Sequence, residues 1–88
     1  MKSYLTKDQI QSLLEEQISS YKKSNEYIIG FLVDDDKGDA GYNYKSLYFK
    51  PTEKQSKKTF IEAIIKSIEE SCKGIYDVTA DVMVPYIR

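Results

Sequence analysis

The sequence has no histidine and no tryptophan, and it contains a single cysteine. Without histidine, Cys72 has no imidazole base to activate it as a nucleophile, and a lone cysteine cannot form an intramolecular disulfide bond. There is also no glycine-rich phosphate loop and no metal-ligand spacing. We therefore expect a protein that is not an enzyme and has neither a cofactor nor a bound metal.

Long hydrophobic runs are also absent. The longest apolar run, near residues 28–33, is interrupted by Gly30 and is far shorter than the ~20 residues of a membrane-spanning helix. The N-terminal residues lack the apolar core of a signal peptide, and the chain has no disulfide scaffold. Its 88 residues, 41% hydrophobic and 31% charged, predict one globular domain over residues 1–88 in the cytoplasm.

Two segments carry helical patterns. Residues 6–21 begin with Thr6 and Gln9 at the spacing of a capping box, and their apolar residues recur on one helical face. Residues 52–73 begin with Thr52 and Gln55 at the same spacing. Gly74 follows where a helix C-terminal glycine is expected. Both segments predict amphipathic helices that pack on a common core.

Three segments carry strand patterns: residues 27–33, 42–50 and 76–84, with a turn rich in Asp and Gly over residues 34–41. The order α-β-β-α-β predicts an α+β fold with an antiparallel three-stranded sheet and two helices on one face. The alternative is a ferredoxin-like β-α-β-β-α-β fold, in which residues 2–5 form a short first strand.

The charges are balanced in number, since the formal net charge is -1, but not in position. Connectivity places an acidic tip at one end of the sheet and a basic end at the other. The acidic tip consists of Asp34, Asp35, Asp36, Asp39, Glu69, Glu70 and Asp77, and the basic end includes Lys50, Lys54, Lys57 and Lys58. The lysines at the start of the second helix oppose its macrodipole, which indicates either a functional site or chance.

The turn aspartates do not match a calcium-binding loop in either register. Positions that need oxygen ligands fall on Gly38 and Lys45 when the loop starts at Asp34, and on Lys37 when it starts at Asp35. Eight tyrosines are many for so short a chain, and Tyr42, Tyr44 and Tyr48 share one face of a predicted strand. Tyrosine is common both at protein interfaces and in β-strands, so this stripe predicts either binding anchors or ordinary sheet packing.

The leading hypothesis is a protein-binding module that covers a basic surface of a larger partner, as inhibitors and immunity-type proteins do. In this hypothesis Asp34, Asp35, Asp36 and Asp39 steer the association. Tyr42, Tyr44 and Tyr48 anchor the complex. The comparison is one of physical type, since no motif indicates a family.

Two alternatives remain open. Tyr44 and Tyr48 with Lys45 and Lys50 are candidates for binding single-stranded nucleic acid, in which Lys50, Lys54, Lys57 and Lys58 would contact the phosphates. The near absence of arginine counts against sequence-specific readout. The third hypothesis is self-assembly, either head to tail through the opposite charges or as a homodimer through the sheet faces.

Overall fold

The protein is an α+β domain with the predicted order α-β-β-α-β. A computed structural model describes residues 3–34 and 43–83 of the chain. The elements are α1 (Lys7–Gln17), β1 (Glu26–Asp34), β2 (Asn43–Phe49), α2 (Lys57–Glu69) and β3 (Gly74–Met83). Neither of these two helices is long and apolar enough to traverse a lipid bilayer.

The three strands form one antiparallel sheet in the order β2-β1-β3. On the central strand, Ile29 pairs with Leu47 of β2 on one side and with Ala80 of β3 on the other. The β1–β3 register shifts between Leu32 and Val33. The central position explains why β1 is nearly continuous in apolar residues, as the sequence predicted.

The ferredoxin-like alternative is not found in the part of the chain that the structure describes. Residues 3–6 have no regular secondary structure. One backbone hydrogen bond of 2.7 Å, from Leu5 N to Ile75 O, ties this segment to β3. The described residues therefore form a sheet of three strands.

Both helices cover the same face of the sheet. Along β1, the side chains that point toward the helices are Tyr27, Ile29, Phe31 and Val33, and all four are fully buried. Burial of such side chains stabilises the fold by about 1.5–3 kcal/mol each. The helices contribute Ile10 and Leu14 from α1, and Phe60, Ile61, Ile64, Ile65 and Ile68 from α2.

Helix α1 begins as predicted, with a capping box. Gln9 N donates to Thr6 Oγ1 at 3.1 Å, and Thr6 N donates to Gln9 Oε1 at 2.8 Å. The helix ends at Gln17, earlier than the predicted residue 21, because the following loop wraps around the buried hydroxyl of Tyr27. Lys22 N donates to that hydroxyl at 3.0 Å, and the hydroxyl donates to Ser20 O at 3.3 Å.

The predicted start of the second helix is wrong by several residues. Its N-cap is Ser56, whose hydroxyl accepts from Thr59 N at 3.3 Å, whereas Thr52 and Gln55 form a separate turn. A contact with a residue 34 positions away accompanies the later start, since Tyr21 Oη donates to Gln55 O at 2.8 Å. That carbonyl is the acceptor that Thr59 N would use in a longer helix.

The predicted end of the second helix is also wrong. The helix ends at Glu69, and Gly74 is the first residue of β3 rather than a helix-terminating glycine. A Cβ at Gly74 would overlap the ring of Tyr4, which lies flat against this position. Gly74 thus permits the N-terminal segment to approach the start of β3 closely.

Candidate functional site

The face of the sheet opposite the helices, called the open face here, carries the largest exposed aromatic side chains. Strand alternation and register place Tyr44 and Tyr48 of β2 on this face, and each is 65% exposed. The prediction that these two rings share a face is confirmed. The other strand residues of the open face are Glu26, Ile28, Gly30, Leu32, Asp34, Ser46, Asp77, Thr79, Asp81 and Met83.

The ring of Tyr44 lies across the central strand. A Cβ built at Gly30 would overlap the Tyr44 hydroxyl and would come within 2.7 Å of Thr79 Oγ1 on β3. Gly30 leaves space that a larger residue would fill, so the ring spans from β2 over β1 toward β3. The open face is therefore a partly apolar platform, in which Ile28 and Leu32 of β1 are half-buried and the Tyr44 hydroxyl end lies over Gly30 between them.

The charges on the open face have one sign. Its strand residues include four carboxylates and no lysine or arginine within the described strands. Asp77 and Asp81 alternate with Thr79 along β3. Asp77 also accepts a 2.9 Å hydrogen bond from Val78 N through one of its oxygens. The platform is therefore acidic as well as aromatic. The carboxylates are Glu26, Asp34, Asp77 and Asp81.

Only part of the predicted acidic tip can be located. Asp34 ends β1 and lies opposite Gly74, at the end of the sheet where α2 finishes with Glu69 and Glu70. Of the candidate site residues, Asp35, Asp36, Asp39 and Tyr42 lie outside the described residues. Asp34 and Asp77 belong both to the predicted acidic tip and to the open face.

Asp34 is held by an N-terminal tyrosine. Tyr4 Oη donates to Asp34 Oδ2 at 2.6 Å, and this hydrogen bond raises the pKa of Tyr4 well above its ordinary value. The ring of Tyr4 packs against that of Tyr76, with centroids 5.2 Å apart. Asp34 is thus a fixed part of the surface.

A cavity of about 250 Å³ beneath Tyr4 also includes Cys72 in its lining. Burial raises the pKa of the Cys72 thiol, although the positive charge of Lys45 acts in the opposite direction. The thiol donates to Ile68 O at 3.3 Å, within its own helix end. Cys72 is therefore a protonated packing residue rather than an activated nucleophile.

The lysines of the predicted basic cluster differ in their surroundings. Lys57 Nζ donates to Glu15 O at 2.9 Å, near the C-terminus of α1. Lys50 instead lines a cleft with Lys23, whose ammonium donates to Glu53 O at 2.5 Å. Lys54 and Lys58 are exposed.

Lys45 lies on the other side of the sheet from the two exposed tyrosines. It pairs with Phe31, whose side chain points into the core, so it belongs to the helix-covered side of β2. Tyr44, Tyr48 and Lys45 therefore do not form a common stacking platform with a cation, contrary to the grouping that the nucleic-acid hypothesis predicted.

Other tyrosines have structural roles. Tyr21 and Tyr27 stack with ring centroids 6.4 Å apart, and both rings also contact Phe60. Burial raises the pKa of Tyr21, and its hydroxyl holds the turn before α2. The two interpretations of the tyrosine content thus apply to different residues. Tyr21 and Tyr27 pack the core, whereas Tyr44 and Tyr48 remain exposed.

Sequence reasoning placed Asp77 at the acidic tip but did not assign it to the tyrosine face, and it did not include Gly30 or Asp81 in the site. The signal was present in the alternation of β3, which predicts that Asp77 and Asp81 share one face. Assigning these two aspartates to the same sheet face as the tyrosines of β2 requires the pairing register of β2, β1 and β3. The order of the elements along the chain does not determine that register. Glycine in the middle of a strand is a further signal, because it often marks a close approach.

Within residues 3–34 and 43–83, no group of three or more Cys, Asp or Glu side chains is arranged to hold a metal ion. Comparisons with protein-family models, with curated proteins and with solved structures found no match to this chain. The functional argument therefore rests on the geometry of the open face.

Proposed function

We propose that the protein is a non-enzymatic binding module that covers a basic surface of a larger protein with its open face. The observation that supports this function is the combination of Tyr44 and Tyr48, each 65% exposed, with a face whose charged residues, within the described strands, are all carboxylates. Tyrosine offers a large rigid contact area with a polar end, and it is enriched among residues that dominate binding energy.

The dimensions of the open face indicate how much more surface the interface needs. Three strands about 4.8 Å apart and seven residues long, each rising about 3.3 Å, have a projected area of roughly 330 Å². A stable interface buries roughly 800 Å² on each partner. The proposed interface therefore extends beyond the strands. Asp34 at the end of β1 is where the open face reaches the predicted acidic tip, and Asp35, Asp36 and Asp39 of that tip follow it in the sequence.

The carboxylates determine the chemistry of the partner. Asp77, Asp81 and Glu26 repel phosphates at close range and attract lysine and arginine side chains. This argues for a basic protein surface over single-stranded nucleic acid as the occupant of the open face. An inhibitor or immunity-type protein that blocks a basic active site or nucleic-acid channel is the form of this function that the chemistry fits best.

The test is affinity capture from a lysate of the source organism at low salt, in nuclease-treated and untreated halves. The wild type is compared with a face variant, Tyr44→Ser with Tyr48→Ser. A control variant carries Glu62→Ser and Lys66→Ser at exposed positions of α2, on the other side of the molecule. Bound proteins are identified by mass spectrometry.

The proposal expects a protein that survives nuclease treatment, binds the wild type and the control variant, and is lost with the face variant. Asp77→Asn with Asp81→Asn should slow its association most strongly at low salt, because charge steering is screened by salt. Loss of all bound material on nuclease treatment would instead favour nucleic acid. Equal capture by wild type and face variant would remove the open face from the mechanism.

A further inference from the structure

The two outer edges of the sheet differ in their free backbone groups. Along β3, the side chain of Gln17 mimics a neighbouring strand. Its Nε2 donates to Val78 O at 3.1 Å, and its Oε1 accepts from Ala80 N at 2.8 Å. Val78 N donates to Asp77 Oδ1, and Leu5 N donates to Ile75 O. This edge is largely satisfied from within the molecule.

The edge formed by β2 is different. Because Val78 and Ala80 direct their backbone groups away from β1, their partners Phe31 and Ile29 bond toward β2. The backbone groups of Tyr44, Ser46 and Tyr48 therefore point outward. Within residues 3–34 and 43–83, no side chain or neighbouring segment forms a hydrogen bond to these outward groups. Such a row of unpaired groups is a template for another strand.

We propose that β2 pairs antiparallel with β2 of a second copy of this chain, across a two-fold axis at Ser46. Two three-stranded sheets then become one continuous six-stranded sheet. A second copy is the occupant that the edge fits best, because the sequence of β2 complements itself when it is reversed about Ser46. Tyr44 then lies opposite Tyr48, and Lys45 lies opposite Leu47.

The register follows from charge and overlap. In an antiparallel pair, a residue whose backbone groups point toward the other strand must face a residue of the same kind. Because such residues alternate along β2, the two-fold axis passes through a residue position and not between two residues. An axis at Lys45 opposes two ammonium groups and pairs five residues of each strand. An axis at Leu47 also pairs only five residues. The axis at Ser46 pairs all seven residues of β2 and opposes no like charges.

The side chains are compatible with this pairing on both faces of the sheet. On the open face, the Tyr44 position of one copy lies opposite the Tyr48 position of the other, and the Tyr44 ring lies over Gly30 of its own β1, so it leaves the edge of β2 accessible to the second strand. On the helix side, the aliphatic part of Lys45 covers Leu47 of the second copy, which is 37% exposed in the monomer.

The strength of the association follows from its size. Pairing seven residues edge to edge buries less than about 1,200 Å², which is the range of weak and transient complexes. The dimer is therefore concentration dependent. It is also closed, because the β3 edge at either end of the six-stranded sheet is occupied by Gln17.

Sedimentation equilibrium of the purified protein from micromolar to millimolar concentration tests the proposal. The wild type should rise from the monomer mass of 10.2 kDa toward twice that mass. Ser46→Pro removes the outward N–H at the axis without removing a bond to β1, so it should remain monomeric. Ser46→Ala keeps that N–H and should associate like the wild type. Circular dichroism verifies that both variants are folded.

A wild type that stays at 10.2 kDa throughout would overturn the proposal, and so would a dimer that survives Ser46→Pro in a folded protein. A second variant tests the register independently of that proline. In a Cys72→Ala background, Ser46→Cys places two thiols at an antiparallel pair with Cα atoms about 5.5 Å apart, within disulfide range.

Mild oxidation should then convert the Ser46→Cys protein into a covalent dimer with the solubility and spectrum of the native fold. The matched control is Ser67→Cys, at an exposed position on α2. Equal cross-linking at the two positions contradicts the Ser46 axis. The experiments contain only this chain, so their outcome is separate from that of partner capture.

Discussion

Lys57, at the first position of α2, donates a 2.9 Å hydrogen bond to the carbonyl oxygen of Glu15, near the C-terminus of α1. Helix α1 has no basic residue in its own last turn. A cation stabilises a helix when it lies near the C-terminus and destabilises it when it lies near the N-terminus. Lys57 is unfavourable for the dipole of α2 but favourable for that of α1. One of the lysines that oppose the macrodipole of α2 thus has a structural explanation.

We expect Lys57→Met to lower the free energy of unfolding by about 0.3–1 kcal/mol relative to Lys58→Met. Both lysines lie in the first turn of α2 and oppose its dipole, but Lys58 makes no side-chain hydrogen bond among the described contacts. The difference in unfolding free energy between the two variants therefore isolates the contribution of the contact with Glu15. Urea denaturation at low salt measures it. Equal midpoints for the two variants would assign no energy to this contact.

Gly30→Ala should move Tyr44 while preserving the fold. The added Cβ overlaps the hydroxyl end of the Tyr44 side chain, which can rotate away, and it crowds Thr79 Oγ1 at 2.7 Å. We expect a stability change within about 1 kcal/mol, since alanine is the better strand residue but the ring loses its packing on β1.

Nuclear Overhauser contacts between Tyr44 and Thr79 measure this displacement. They should weaken or disappear in Gly30→Ala, while contacts of the buried Tyr27 ring stay unchanged. A Tyr44 ring that keeps its contacts with Thr79 would show that Gly30 is not needed for its position. The same variant tests partner binding without removing any side chain from the open face.

The sequence predicts best where the interactions are local. Thr6 and Gln9 are three residues apart, and their capping box forms as predicted. Thr52 and Gln55 have the same spacing but form a turn that precedes the helix, and the Gln55 carbonyl accepts a hydrogen bond from Tyr21, 34 residues away. Local spacing alone contains no information about that competing tertiary contact.

In the candidate site, too, the local pattern is predictable from the sequence and the long-range pairing is not. Alternation within β2 predicts that Tyr44 and Tyr48 share a face, and they do. The acidic character of that face depends on Asp77 and Asp81, which register with β1 brings into the same plane. Long-range pairing is therefore what converts two separate patterns, one aromatic and one acidic, into one surface.

Tyr4→Phe should reveal a pH-dependent contribution to stability. The hydrogen bond to Asp34 raises the pKa of Tyr4 in the folded protein above the unfolded value of about 10. Its contribution is therefore fully present below about pH 10 and is lost as the pH rises through the folded pKa. Comparing wild type with Tyr4→Phe from pH 7 to pH 11 measures it.

The difference in unfolding free energy between the two proteins should be constant up to about pH 10 and decline above it. Lysine titration affects both proteins alike and cancels in the comparison. A difference that grows with alkaline pH would have the wrong sign for a phenol held in its protonated form by Asp34.

Gln17→Met should both destabilise the domain and open the β3 edge. It removes the hydrogen bonds to Val78 O and Ala80 N while retaining side-chain volume, at a cost of about 1–3 kcal/mol for the pair. Glu16→Met is the control, since Glu16 is exposed on the same helical turn and forms none of the described hydrogen bonds. Urea denaturation gives the stability of each variant.

The opened edge has a second consequence. With β3 unprotected, each end of a six-stranded dimer offers backbone groups to a further copy, so assembly no longer closes. Light scattering at high concentration should then show species larger than a dimer for Gln17→Met, but not for Glu16→Met or the wild type. If Gln17→Met loses stability yet remains no larger than a dimer, Gln17 stabilises the β3 edge without being what limits assembly there.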